Sequence, residues 1–144
     1  MQKSNWLFLS ILFSIGIIIT FYSCQEENPY KQGEILYAKY CSNCHMDDGT
    51  GLRGNIPPLA NTDYVRNAGP QIACIINNGI EGEILVNGRT YNQPMMAVKR
   101  PTGDPLTEFE ITNIINYINH AWGNDYGIVK LEDVRKMIES CKKD

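Results

Sequence analysis

Residues 41–45 read CSNCH, two cysteines three positions apart with a histidine directly after the second. This C-x-x-C-H spacing is the attachment signature of a c-type haem. Each residue type has a chemical reason. Two thiols about one helical turn apart reach the two vinyl groups of one haem and form thioethers, and the imidazole of His45 then lies under the iron as its proximal ligand. Competing chemistries need residues placed differently. A zinc site requires a fourth ligand and usually a second paired motif, whereas Cys74, His120 and Cys141 are scattered singly. A thioredoxin-like redox pair calls for a βαβ pattern, and none is visible around the motif.

The chain has 144 residues, 43% of them hydrophobic and 20% charged, which suits one small globular domain and not a large enzyme. Ahead of that domain, Trp6 to Tyr22 form an apolar stretch broken only by Ser10, Ser14, Gly16 and Thr20, with Lys3 before it. A basic start, an apolar middle and a small residue at the end describe an export signal over residues 1–23. Ser23-Cys24 resembles the end of a bacterial lipobox, so Cys24 is expected to be the first mature residue and to carry lipid, although Phe21 stands where such motifs usually have leucine. An uncleaved anchor and simple secretion are the alternatives, and spanning a bilayer takes about 20 apolar residues. All three readings export the domain. Residues 24–32 are polar, contain Pro29, and read as a tether, leaving 33–144 as the folded domain. Outside the signal 12 basic residues oppose 16 acidic ones with no dense Lys/Arg cluster, which argues against nucleic acid as a partner.

Local patterns set the motif among helices and turns. EILYAKYCSNCH carries Ile35, Leu36 and Tyr40 at intervals suited to one helix face. Gly49 and Gly51 in DGTG allow a sharp turn. Gly69 to Gly79 encloses Ile72, Ala73, Ile75 and Ile76, a short apolar run read as a middle helix. Asn87-Gly88 between two β-branched or aromatic stretches signals a hairpin. Thr107 with Glu110 forms a capping box ahead of a stripe of Ile111, Ile114, Ile115 and Ile118, and Gly123 stops that helix. A closing helix over 129–142 puts Val134, Met137, Ile138 and Cys141 on one face.

In order and spacing, CSNCH, DGTG, IPPLA (56–60), VNGRTYNQPM (86–95) and LTEFEITNIINYINHAWGN (106–124) resemble the monohaem class I cytochromes c, from about Gly33 to Gly123. The resemblance implies a small all-α fold around one covalent haem c, with a first and a last family helix crossing near the haem edge and a short β-hairpin before the methionine loop. It implies attachment through Cys41 and Cys44 with His45 as proximal ligand. It also implies a Pro57 carbonyl that accepts the hydrogen bond from the other ring nitrogen of His45, with Leu59 and Tyr91 against the haem and Trp122 near its edge. Met95 aligns with the axial methionine because it follows YNQP. Met96 stands where the family commonly has proline and is the alternative ligand; a thioether can also serve simply as packing. IPPLA can equally be a rigid Pro-Pro turn, and His120, inside the last family helix, reads as a surface or packing residue. Cys74 and Cys141 have no place in the attachment, and in an oxidising envelope two leftover thiols are more often a disulfide than free. That bond would pin the closing helix onto the middle one, whereas free thiols would leave the tail loose.

A haem held by histidine and methionine has no open position for substrate, and methionine raises its potential. The expected function is therefore a one-electron carrier of the bacterial cell envelope, not an enzyme. It would face the periplasm and be held at the membrane by lipid or anchor, passing electrons from one redox protein to another as a monomer or as a subunit of a redox complex. The alternatives are a haem sensor or weak peroxidase whose methionine dissociates, and a fixed haem subunit of a membrane redox complex.

Overall fold

The computed structural model describes residues 28–141, so the signal and Cys24 lie outside the described residues. Helix α1 is Lys31–Tyr40, two residues longer at its start than the tether boundary at 32 allows. Its buried stripe is Gly33, Leu36 and Tyr37 with Tyr40 beside it, at spacings of three and four; Ile35 lies off that stripe and is exposed. A single turn, α2 (Ser42–His45), follows, and then the DGTG and IPPLA loops. Helix α3 (Asp63–Ala68) has no counterpart in the sequence expectation. Its Thr62 cap accepts a hydrogen bond from Val65 N at 3.2 Å, but six residues are too few to display a helical period. The middle helix is a 3₁₀ turn at Gly69–Gln71 leading into α4 (Ile72–Asn78).

Four short strands come next: β1 (Gly79–Ile80), β2 (Ile84–Val86), β3 (Arg89–Tyr91) and β4 (Met95–Met96). Strands β2 and β3 form the expected antiparallel hairpin, with Asn87 and Gly88 both at positive φ as a two-residue primed turn requires. An all-α description is nonetheless too strong, because β1 also pairs with β4, Gly79 opposite Met96 and Ile80 opposite Met95. Two strands of two residues leave no period to read, and only the tertiary fold brings them together.

Helix α5 (Glu108–His120) carries the core stripe: Ile111, Ile114 and Ile115 are fully buried and Ile118 nearly so. It crosses α1 at Gly33. A Cβ there would overlap the Asn113 carbonyl oxygen and lie 2.7 Å from Tyr117 Cβ, so the two backbones touch because Gly33 has no side chain. The helix ends three residues before Gly123. Trp122 adopts a left-handed φ of 54°, and its indole N–H donates to Asp47 O at 2.9 Å. The capping box is complete, with Thr107 Oγ1 accepting from Glu110 N and the Glu110 carboxylate accepting from Thr107 N.

The Glu110 carboxylate also takes a 2.7 Å ion pair from Arg100, and these hydrogen bonds, Arg100 foremost, hold it down at about 2. A carboxyl lowered on folding stabilises fully above its ordinary value of 4.5, and the stabilisation is lost as pH falls through about 2. Stability measured by denaturant between pH 5 and pH 2 should therefore fall less steeply in Glu110→Gln than in the parent. Thr107→Ala should cost about 1 kcal/mol at neutral pH.

Helix α6 (Leu131–Ser140) buries Val134 and Ile138 with Met137 partly covered, the face expected. It starts two residues later than 129, since the Asn116 side chain bonds both backbone groups of Val129 (3.0 and 2.8 Å) and ties that residue to α5 ahead of the helix. It ends at Ser140, with Cys141 as its C-cap, short of the expected end at 142. A disulfide joins Cys74 of α4 to Cys141 at the end of α6, Cα atoms 6.0 Å apart. Among the described residues no helix is long and apolar enough to cross a membrane.

Candidate functional site

One turn of helix organises the motif. His45 N donates to Cys41 O (2.9 Å) and Cys44 N to the same oxygen (3.1 Å), which sets Cys41, Cys44 and His45 on one face at i, i+3 and i+4. All three line a cavity of ≈ 320 Å³. Cys41 is buried and Cys44 exposed. Burial, with Cys44 adding to it, pushes the Cys41 thiol up to about 12, so in the free chain it stays protonated.

His45 is buried, and its Nδ1 lies 3.0 Å from Pro57 O. A carbonyl can only accept, so Nδ1 carries the hydrogen and Nε2 keeps its lone pair for a metal. Burial lowers the imidazole below its ordinary range, against the opposing pull of the Pro57 hydrogen bond, and so favours the neutral ring that ligation requires. The approach of Pro57 depends on Gly51. At φ 66°, a Cβ on Gly51 would lie 2.6 Å from the Pro57 carbonyl oxygen, while Gly51 N itself bonds His45 O at 3.0 Å. Gly51→Ala should therefore cost about 1–3 kcal/mol of stability in thermal unfolding, through overpacking and a disfavoured dihedral, and should shift the midpoint potential by disturbing the His45 hydrogen bond.

The rest of the wall is almost wholly hydrocarbon. Ile56, Pro58 and Leu59 come from the loop after DGTG, Tyr64 and Val65 from α3, Ile72, Ile75 and Ile76 from α4, Ile84 and Val86 from the hairpin, and Ile114 and Ile118 from α5. Residues Gln93 to Met96, with Val98, also contribute to it. Met95 is half-buried, whereas Met96 is 79% exposed, as the alternation of side chains along β4 dictates. Of the residues singled out from sequence, Cys41, Cys44, His45, Pro57, Leu59, Met95 and Met96 all meet at this cavity.

Tyr91 and Trp122 are not among its lining residues. Tyr91 is buried opposite Ile84, where Ile84 and Val86 form the wall. Trp122 lies over Gly49, whose added Cβ would be 2.6 Å from the indole, and packs edge-on against Tyr37 with centroids 5.1 Å apart. His120 is away from the cavity, bonded to Asn116 O and stacked on Tyr30 at 4.2 Å. The α3 and α4 wall residues were not recognised from sequence as cavity-forming. The apolar run from Ile72 to Ile76 was the available signal.

An apolar slot, two thiols on one helical turn, an oriented imidazole with a free lone pair and a thioether fit an iron porphyrin. Residues 30–122, more than half of the chain, match the family model described as Cytochrome c. The chain is 31% identical over 96 residues to cytochrome c-552 of Thermus thermophilus, covering 64% of this chain and 69% of that protein. It is 30% identical over 106 residues to the cytochrome c subunit of the quinone alcohol dehydrogenase of Gluconobacter oxydans, covering 73% of this chain but only 21% of that subunit. A similar subunit of Komagataeibacter europaeus is 32% identical over 107 residues, with 22% of its length spanned. The chain belongs to the cytochrome c family, whose covalently bound haem c and its iron serve electron transfer.

Proposed function

We propose that this protein is a membrane-tethered one-electron carrier of the bacterial cell envelope, in which Cys41 and Cys44 would hold haem c covalently and His45 Nε2 and Met95 Sδ would ligate its iron. The observation that carries this reading is the His45 Nδ1 contact to Pro57 O within a cavity that also receives both thiols and Met95. The haem iron, when bound, supplies a reversible ferrous–ferric couple. The protein's part is to orient and exclude. Pro57 fixes the plane of the imidazole and raises its basicity, the isoleucine wall keeps water away, and a neutral thioether favours the ferrous state. With His45 and Met95 both committed to the iron there would be no site for a substrate, which is why the proposed role is transfer and not catalysis.

The partners are a quinol-oxidising complex or dehydrogenase as donor and a terminal reductase or oxidase as acceptor. Docking of this kind buries little area. A lipid on Cys24 would keep the domain at high effective concentration near both partners. The subunit names of the alcohol dehydrogenase relatives favour a second reading, a fixed haem subunit of a membrane redox complex. Purification in mild detergent distinguishes them, since a stoichiometric partner belongs to the second. The sensor or weak peroxidase reading draws on Met96 in place of a loop proline. Covalent attachment is tested by acidified-acetone extraction, which should leave haem on the parent and release or find none on a Cys41→Ala, Cys44→Ala double variant. Full extraction from the parent would defeat the proposal.

A further inference from the structure

The segment bearing Met95 has few holds of its own, and most of them lead to α4. Val98 N donates to Ile76 O at 2.9 Å, Met96 pairs with Gly79 and Met95 with Ile80, all at or just beyond the C-terminal end of α4. The fit there is close, since a Cβ on Gly79 would run into the Met95 carbonyl oxygen. On its other side α4 is fastened to α6 by the Cys74–Cys141 disulfide, reinforced where Asn78 Nδ2 donates to Cys141 O at 3.1 Å. A covalent bond between elements 67 residues apart thus secures the helix on which the methionine strand is hung.

We propose that the Cys74–Cys141 disulfide positions Met95 on the haem iron, and that its reduction by a dithiol loosens that hold. The proposal rests on the reading of Met95 as axial ligand. In the reduction the dithiol gives up both S–H protons and two electrons as its own sulfurs join. The Cys74–Cys141 bond breaks, and each released sulfur takes one proton. Both cysteines are only partly buried, which leaves a dithiol a path of approach. A disulfide that only stabilised the fold would change the unfolding midpoint without altering the closed haem in the folded protein. Loss of a positioning bond raises the fraction of folded molecules with the methionine detached, and apparent affinity for an added ligand rises in proportion.

The test is carbon monoxide binding to ascorbate-reduced holoprotein, followed by visible absorption at a temperature where far-ultraviolet circular dichroism shows every sample folded. Ascorbate reduces the haem and leaves the disulfide intact. The samples are the parent, the parent treated with dithiothreitol, a Cys74→Ser, Cys141→Ser double variant, and Met95→Ala. Carbon monoxide should bind Met95→Ala readily and the parent barely, with dithiothreitol or the double substitution raising the parent's affinity about tenfold or more. Reoxidation should restore exclusion in the parent but not in the double variant. The treated sample keeps the test open if the double variant fails to fold. If both disulfide-free samples exclude carbon monoxide as well as the parent does while Met95→Ala binds it, the positioning role is wrong. If Met95→Ala also excludes it, the ligand reading fails and takes this proposal with it.

Discussion

Met95→Ala should convert a closed haem into one that binds carbon monoxide and imidazole, and should lower the midpoint potential on the order of 0.1–0.3 V, a fraction of the range of about 0.8 V that axial ligands span. On the proposed ligand reading, removing the thioether would take away a soft neutral ligand that favours ferrous iron, and the gap left in an apolar wall would admit water or an added ligand. Met96→Ala is the matched control. Met96 is 79% exposed and neighbours Met95 on a two-residue strand, so its loss should leave the potential and the ligand exclusion at parent values. Visible absorption with a redox titration of both variants checks the pair, and the reverse pattern would move the ligand assignment to Met96.

The second large effect is expected at Gly33. In an exposed helix, replacing glycine by alanine adds about 1 kcal/mol of helix propensity. At Gly33 the sign should reverse, because the new Cβ meets the Asn113 carbonyl oxygen and Tyr117 Cβ at the α1–α5 crossing. Gly33→Val should cost roughly 3 kcal/mol or more, a large share of the 5–15 kcal/mol that a domain has, with a Tm loss on the order of 10 °C. Separation of the helices would also disturb Tyr37, which packs on Tyr117 and Trp122 and donates to Met46 O at 2.6 Å, directly after His45. Thermal unfolding by circular dichroism decides it. A Gly33→Ala protein as stable as the parent would show that the crossing is looser than described.

What was legible in the sequence was chemistry confined to a few neighbouring residues. CSNCH declares itself because its three groups must share one helical turn, Thr107 and Glu110 because a capping box is a four-residue device, and Asn87-Gly88 because both positions need positive φ. The isoleucine stripe of α5 was long enough to show its period. What escaped reading depends on partners distant in the chain. Tyr91 and Trp122 are both aromatic and near the right loops, yet neither local sequence says that Ile84 and Val86 would form the wall instead of Tyr91, or that the Trp122 indole would be drawn to Asp47 O and Gly49. The start of α6 follows from the Asn116 side chain bonding Val129, 13 residues away. The β1–β4 pair, which hangs the Met95 segment on α4, joins residues too few to carry any pattern.

Whether the haem stays six-coordinate and changes charge without changing ligands is decided by a potentiometric titration of the purified holoprotein monitored by visible absorption, repeated under carbon monoxide. A single one-electron wave between two low-spin spectra, unchanged in midpoint and shape by carbon monoxide, is the expected result. A ferrous spectrum converted by carbon monoxide, with the midpoint drawn upward, would contradict it and establish a haem whose distal position opens.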